Sequence, residues 1–186
     1  MQTMRKIITL LSLTCFSYQA TIAQNCDTTN FQESASNGWS AISYVAPGPF
    51  GIQYPVGYIT GANGLGYTQK ASYFDLSATS YTYVQGAVIK FLKANNNTAA
   101  NLTRVVYFKV YDDVAGKPGT LLGTAQKTMA DLKTDVDAGR NTHINFPSAI
   151  ALPASKKFYV AVDVSNLRWP GNININDSLS IAATAD

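Results

Sequence analysis

The sequence predicts an all-β protein, an antiparallel β-sandwich that is most simply a jelly roll. Three observations lead there. Between Val105 and Tyr111 apolar residues alternate, with Val106, Phe108 and Val110 on one face and Tyr107, Lys109 and Tyr111 on the other. A period of two is the signature of a half-buried strand. Lys157 to Val164 repeats it, with Phe158, Val160, Val162 and Val164 on one face and Tyr159, Ala161 and Asp163 on the other. Around these two segments, Gly, Pro, Asn and Asp cut the chain into about seven to nine short runs with little helical periodicity, the pattern of sandwiches and barrels.

Taken in order, the chain starts with Arg5-Lys6, an apolar run from Ile7 to Phe16 and small residues ending in Thr21-Ile22-Ala23. This is the layout of a secretory signal peptide over residues 1–23, and it predicts an extracellular or outer-surface location. The run is shorter than the roughly 20 residues that span a bilayer, so it does not read as a membrane anchor. Removing it leaves residues 24–186, which is 163 of 186 residues and enough for one domain. Gly38 to Ala46 reads as a strand closed by Pro47-Gly48-Pro49. Gly51 to Tyr67 holds Tyr54, Tyr58 and Tyr67 among five glycines, with Asn63-Gly64 as a turn signal. Two readings stay open for it: a tight loop whose tyrosines pack on a sheet edge, or an aromatic platform for a sugar or peptide.

Ala71 to Leu76 is a short strand, and Tyr83 to Lys93 is a longer one with Ala87, Ile89 and Phe91 on one face. The principal hairpin follows, from Val105 through a turn at Ala115-Gly116-Lys117-Pro118-Gly119 and on towards Met129. Asp131 to Asn141 lacks clear periodicity and reads as a loop with room for one helical turn. Thr142 to Phe146 alternates as a strand, Pro147 and Pro153 bracket Ser148 to Leu152, and Ser178 to Ala182 is a last short strand after a turn at Arg168 to Gly171. The chain stops at Asp186 just after a strand, which predicts that the closing strands of the sandwich lie beyond it.

Composition narrows the chemistry. The full chain carries 14 Lys and Arg against 11 Asp and Glu; with Arg5 and Lys6 removed the balance is 12 to 11, or +1. No block of basic residues with interleaved aromatics is present, which argues against a nucleic-acid partner. After removal of the leader Cys26 is the lone cysteine, so no internal disulfide can form, and one histidine, His143, cannot build a multi-ligand zinc site. His143 falls on the face opposite Ile144 and Phe146 and reads as a surface residue. Asp75 and Asp163 are the strand-borne carboxylates, and both read as outward and solvated rather than as a glycosidase pair. Asp112, Asp113 and Asp177 offer oxygen ligands of the kind calcium takes, although an aspartate at a hairpin start also caps its own turn. No other cofactor is indicated.

Gly57 to Phe74 and the hairpin Val110 to Gly123 resemble a family of secreted proteins of Bacteroidetes-type bacteria. The residues that carry the resemblance are Gly57, Tyr58, Gly61, Asn63, Gly66, Lys70, Phe74, the hairpin itself and the strand Phe158 to Val162. The resemblance implies a non-catalytic N-terminal β-sandwich module of a protein exported by the type IX secretion system, with the C-terminal sorting domain absent from this chain. It supplies no catalytic residues.

The function expected is therefore a secreted surface module for adhesion or carbohydrate binding, with Trp39, Tyr54, Tyr58, Tyr67 and Trp169 as contact residues and an extracellular glycan or surface protein as partner. Aromatic faces stack on sugar rings without needing charge, which suits a nearly neutral domain. The alternatives are an accessory domain of a secreted hydrolase or peptidase whose catalytic part lies outside the chain, and a structural spacer.

Overall fold

The computed structural model describes residues 39–40, 43–47, 53–58, 61–62, 65–95, 102–167 and 178–184, with side chains for those from 61 to 182. All of them fall within one compact unit, Gln32–Asp186. The architecture is all-β and antiparallel, as alternation predicted. Twelve strands are described: β1 (Trp39–Ser40), β2 (Ser43–Pro47), β3 (Gln53–Tyr58), β4 (Gln69–Asp75), β5 (Tyr83–Ile89), β6 (Phe91–Asn95), β7 (Val105–Val114), β8 (Lys117–Thr128), β9 (Thr142–Ala151), β10 (Lys157–Asp163), β11 (Ser178–Ile181) and β12 (Ala183–Thr184). One helix, α1 (Met129–Asp137), is described with them.

The largest sheet has the order β4-β10-β7-β8, and the other strands pair as β1-β12, β2-β3, β5-β9 and β6-β11. The apolar face of β7 is wholly buried, with Val106, Phe108 and Val110 at 0% exposure. Phe158 and Val162 from β10, Ala125 from β8, Phe91 and Ala94 from β6, Ile144 and Phe146 from β9 and Leu179 from β11 close around it in one core. Phe91 meets Phe108 edge-on with ring centroids 6.4 Å apart, and Phe74 stacks on Phe158 at 5.3 Å. Each of the larger core side chains contributes about 1.5–3 kcal/mol by leaving water.

The principal hairpin forms where alternation placed it, but its turn is tighter than the glycines and proline suggested. Ala115 (φ 53°) and Gly116 (φ 77°) both lie in the left-handed region, which makes a two-residue turn whose twist matches the flanking strands. Lys117, Pro118 and Gly119 belong to β8, and the register shifts on either side of Tyr111 absorb the extra residues.

Five other segments differ from the sequence reading. Gly38 to Ala46 is divided between β1 and β2, and the stretch read as a loop over 51–67 contains β3, paired to β2. Tyr83 to Lys93 is two strands, because β5 pairs with β9 while β6 pairs with β11; the break is at Lys90, whose carbonyl accepts from the Ala182 N–H at 2.8 Å. Pro147 does not end a strand: β9 runs through it, and the proline falls where the β5-β9 register shifts, a place where a missing N–H costs no ladder bond. Residues read as a loop at 131–141 begin with α1. Thr128 and Asp131 cap it reciprocally, the Thr128 side chain accepting from the Asp131 N–H and the Asp131 carboxylate accepting from the Thr128 N–H. The helix buries Met129 and Leu132, three residues apart, which is too short a stripe to show as a period. No helix among the described residues is long and apolar enough to cross a membrane.

Candidate functional site

The face of the four-stranded sheet that turns away from the core gathers four tyrosines. Cross-strand partners share a face, so register decides which side chains meet. Tyr73 of β4 pairs with Tyr159 of β10, Tyr159 with Tyr111 of β7, and Tyr111 with Leu121 of β8. The result is a row of three tyrosines and a leucine across the full width of the sheet, perpendicular to the strands. The Tyr73 and Tyr159 rings are 5.2 Å apart and tilted by 53°, and the ends of the row are open, with Tyr73 44% and Leu121 49% exposed.

The neighbouring row is nearly flat on its β4 side, because Ala71 pairs with Ala161, which pairs with Lys109. Beyond it Gln69 pairs with Asp163, and Asp163 with Tyr107. Polar contacts tie these rows together. Tyr111 Oη donates to Gln69 Oε1 at 3.1 Å, Gln69 Nε2 donates to Asp163 Oδ2 at 3.2 Å, and Lys109 Nζ donates to the same oxygen at 2.6 Å. The Ser165 N–H donates to Asp163 Oδ1 at 2.9 Å, and Lys109 Nζ also sits 5.8 Å from the centre of the Tyr107 ring. The expectation that Asp163 is outward and solvated is thus half right: it sits on the outer face, yet it is 4% exposed, covered by the partners that hold it.

Electrostatics follow from these contacts. Burial pushes the Asp163 carboxyl up, but hydrogen bonds from Lys109 and Ser165 together with the Lys109 charge outweigh it and hold the group below the usual carboxylate range. The hydrogen bond to Asp163 in turn raises Lys109. At the end of the sheet nearer the turn, Lys157 Nζ lies 3.5 Å from Asp75 Oδ2, and Tyr73, Asp75 and Asp113 all favour its charged form. Loss of water and the nearby Asp113 carboxylate raise the Tyr159 phenol, so it stays protonated. Both lysines on this face are therefore balanced by a carboxylate, Lys109 by Asp163 and Lys157 by Asp75.

The sequence candidates are distributed differently. Tyr67 is 53% exposed just before β4, with Lys70 Nζ 4.7 Å from its ring centre. Trp39 is on β1, opposite Thr184, and Tyr54 and Tyr58 are on β3, opposite Ala46 and Ser43; their side chains, and the whole of Trp169, lie outside the described residues. Asp112 and Asp113 are adjacent on β7 at a register shift and are engaged differently, Asp112 standing opposite Phe158 of β10 while the Asp113 carboxylate acts on Tyr159 and Lys157. Asp112 Oδ1 accepts from the Thr120 N–H, the turn-capping role, while Asp113 Oδ1 is buried without a hydrogen-bond partner. Asp177 lies outside the described residues. Among the described residues no three His, Cys, Asp or Glu side chains gather as a metal site would need. His143 is exposed between the buried Thr142 and Ile144, as alternation placed it.

Asp75 and Asp163 do not form a glycosidase pair. They lie at opposite ends of the β4-β10 ladder, opposite Lys157 and Gln69 respectively, six strand residues or about 20 Å apart. Such a pair needs about 5–9 Å and one carboxyl with a raised pKa, whereas both of these are lowered.

Sequence reasoning missed Tyr73, Tyr111, Tyr159 and Gln69 as a group. The signal was present in part, because alternation had already put Tyr107, Lys109 and Tyr111 on one face and Tyr159, Ala161 and Asp163 on one face. Compared with protein-family models, with curated proteins and with solved structures, the chain shows no match.

Proposed function

We propose that this chain is a secreted, non-catalytic surface module that binds carbohydrate in adhesion, folded as a jelly-roll-like sandwich. The observation that carries the reading is the tyrosine row on the outer face of the four-stranded sheet. Its rings are held by strands rather than by loops, so little side-chain entropy remains to be lost on binding. Tyrosine combines an apolar ring with a polar tip, which is what a sugar with one apolar face and a rim of hydroxyls requires. The leader over residues 1–23 and the resemblance to modules exported by the type IX system both fit a surface location.

A glycan-array measurement on the purified chain, with folding followed by circular dichroism, tests this. The reading requires selective binding to a subset of glycans without turnover of the bound sugar. A folded chain that binds none of them would refute it.

A further inference from the structure

We infer that the row Tyr73-Tyr159-Tyr111-Leu121 takes an uncharged, extended polysaccharide that lies across the strands; the inference rests on the carbohydrate reading above and specifies its site and ligand class. Three features argue for it. The first is spacing. Neighbouring strands are about 4.8 Å apart, close to the length of one sugar unit in an extended chain, so successive strands present a ring at intervals a polysaccharide can match. The observed separation of 5.2 Å between Tyr73 and Tyr159 keeps that interval.

The second is open ends. The row runs from an exposed tyrosine on edge strand β4 to an exposed leucine on β8, the opposite edge strand of this sheet, so it suits the interior of a long chain. A terminal monosaccharide would instead want an enclosing wall.

The third is charge. Lys109 is held by Asp163 and Lys157 by Asp75, with the Asp113 charge also acting on Lys157. An acidic polysaccharide would have to compete with these carboxylates for the ammonium groups, whereas a neutral chain leaves the pairs intact. Tyr107, Gln69 and Gln126 lie four or five residues further along the strands on the same face, and offer polar groups to sugar substituents that extend beyond the row.

The test is retardation of the purified chain in gels that contain soluble polysaccharides. The neutral set is hydroxyethyl cellulose, mixed-linkage β-glucan and galactomannan; the anionic set is carboxymethyl cellulose and alginate. The inference expects retardation by at least one neutral polymer that persists at high salt. It expects about tenfold weaker binding for Tyr73→Ala and for Tyr111→Ala, near-native binding for Tyr73→Phe, which keeps the ring, and no change for Tyr67→Ala. Tyr73 is outside the core, and circular dichroism of each variant separates lost binding from lost fold. Neutral binding that Tyr67→Ala abolishes and Tyr73→Ala spares would overturn this site while the carbohydrate reading stands. Salt-sensitive binding to the anionic polymers alone would overturn the ligand class. Absence of binding to every polymer here and to every glycan on the array would overturn both proposals.

Discussion

Replacing Lys109 by methionine removes an ammonium group while keeping a stem of similar length on the outer sheet face. Its effect can be worked from the contacts. Lys109 Nζ and Asp163 Oδ2 are 2.6 Å apart, with the two side chains 21% and 5% exposed. Removing one partner of a fully buried pair costs about 3–5 kcal/mol, because the remaining charge is stranded. Here the cost is smaller. The lysine is partly hydrated already, and Asp163 keeps its bonds from Gln69 Nε2 and the Ser165 N–H. We expect a loss of about 2 kcal/mol, which lowers the melting temperature by roughly 4–8 °C for a domain of this size.

The loss also has a pH signature. Asp163 has a lowered pKa in the folded chain, so its stabilisation is present above the unfolded carboxylate value near 3.9 and disappears as pH falls through the folded value. Lys109 has a raised pKa, so its share is complete below about 10.4 and is lost as pH rises through the folded value. Thermal melts from neutral to acid pH should therefore show the Lys109→Met deficit constant near neutrality and vanishing in acid, where Asp163 is protonated in both proteins. Adding Asp163→Asn to Lys109→Met should recover about half of the deficit, so the coupling in a double-mutant cycle is about 1 kcal/mol plus the cost of Asp163→Asn alone. A melting temperature within about 1 °C of the parent, or a deficit of equal size at acid pH, would refute the reasoning.

Three further perturbations test the fold around the site. Thr128→Ala removes the side-chain half of the capping box on α1 and should cost about 1 kcal/mol in urea denaturation, with Thr128→Ser close to the parent. Gly61→Ala should be far worse, about 3 kcal/mol or failure to fold, because a Cβ there would lie 1.8 Å from the Leu179 carbonyl oxygen, which is backbone and cannot move aside. Ala115→Asn should instead raise the urea midpoint by an amount equivalent to about 0.5–1 kcal/mol, since an asparagine tolerates the left-handed conformation of this turn better than alanine does.

Alternation along single strands made β7 and β10 and their inner faces legible, because burial on one side imposes a period of two that no other element imitates. It also placed His143 correctly. Register between strands was not legible. Nothing within Gln69 to Asp75 or Lys157 to Asp163 announces that Tyr73 stands opposite Tyr159, and the tyrosine row exists only through that pairing. The burial of Asp163 has the same origin: its cover comes from Lys109 on one neighbouring strand and Gln69 on the other. Helix α1 was missed because a nine-residue helix with two buried residues leaves no periodic trace, although Thr128 and Asp131 carried a capping signal. Attention to the glycine-rich segment favoured Tyr54, Tyr58 and Tyr67, where local composition is unusual, over tyrosines embedded in ordinary strands.

Chemical-shift mapping of the isotope-labelled chain, titrated with a soluble neutral polysaccharide that retards it, tests the central claim most directly. The account predicts shifts concentrated at the amides of 71–75, 109–113 and 157–161, with smaller changes at 121–124, all on the sheet that carries the tyrosine row. Shifts centred on Tyr67 and the β2-β3 ribbon, or none at ligand concentrations that retard the protein, would contradict it.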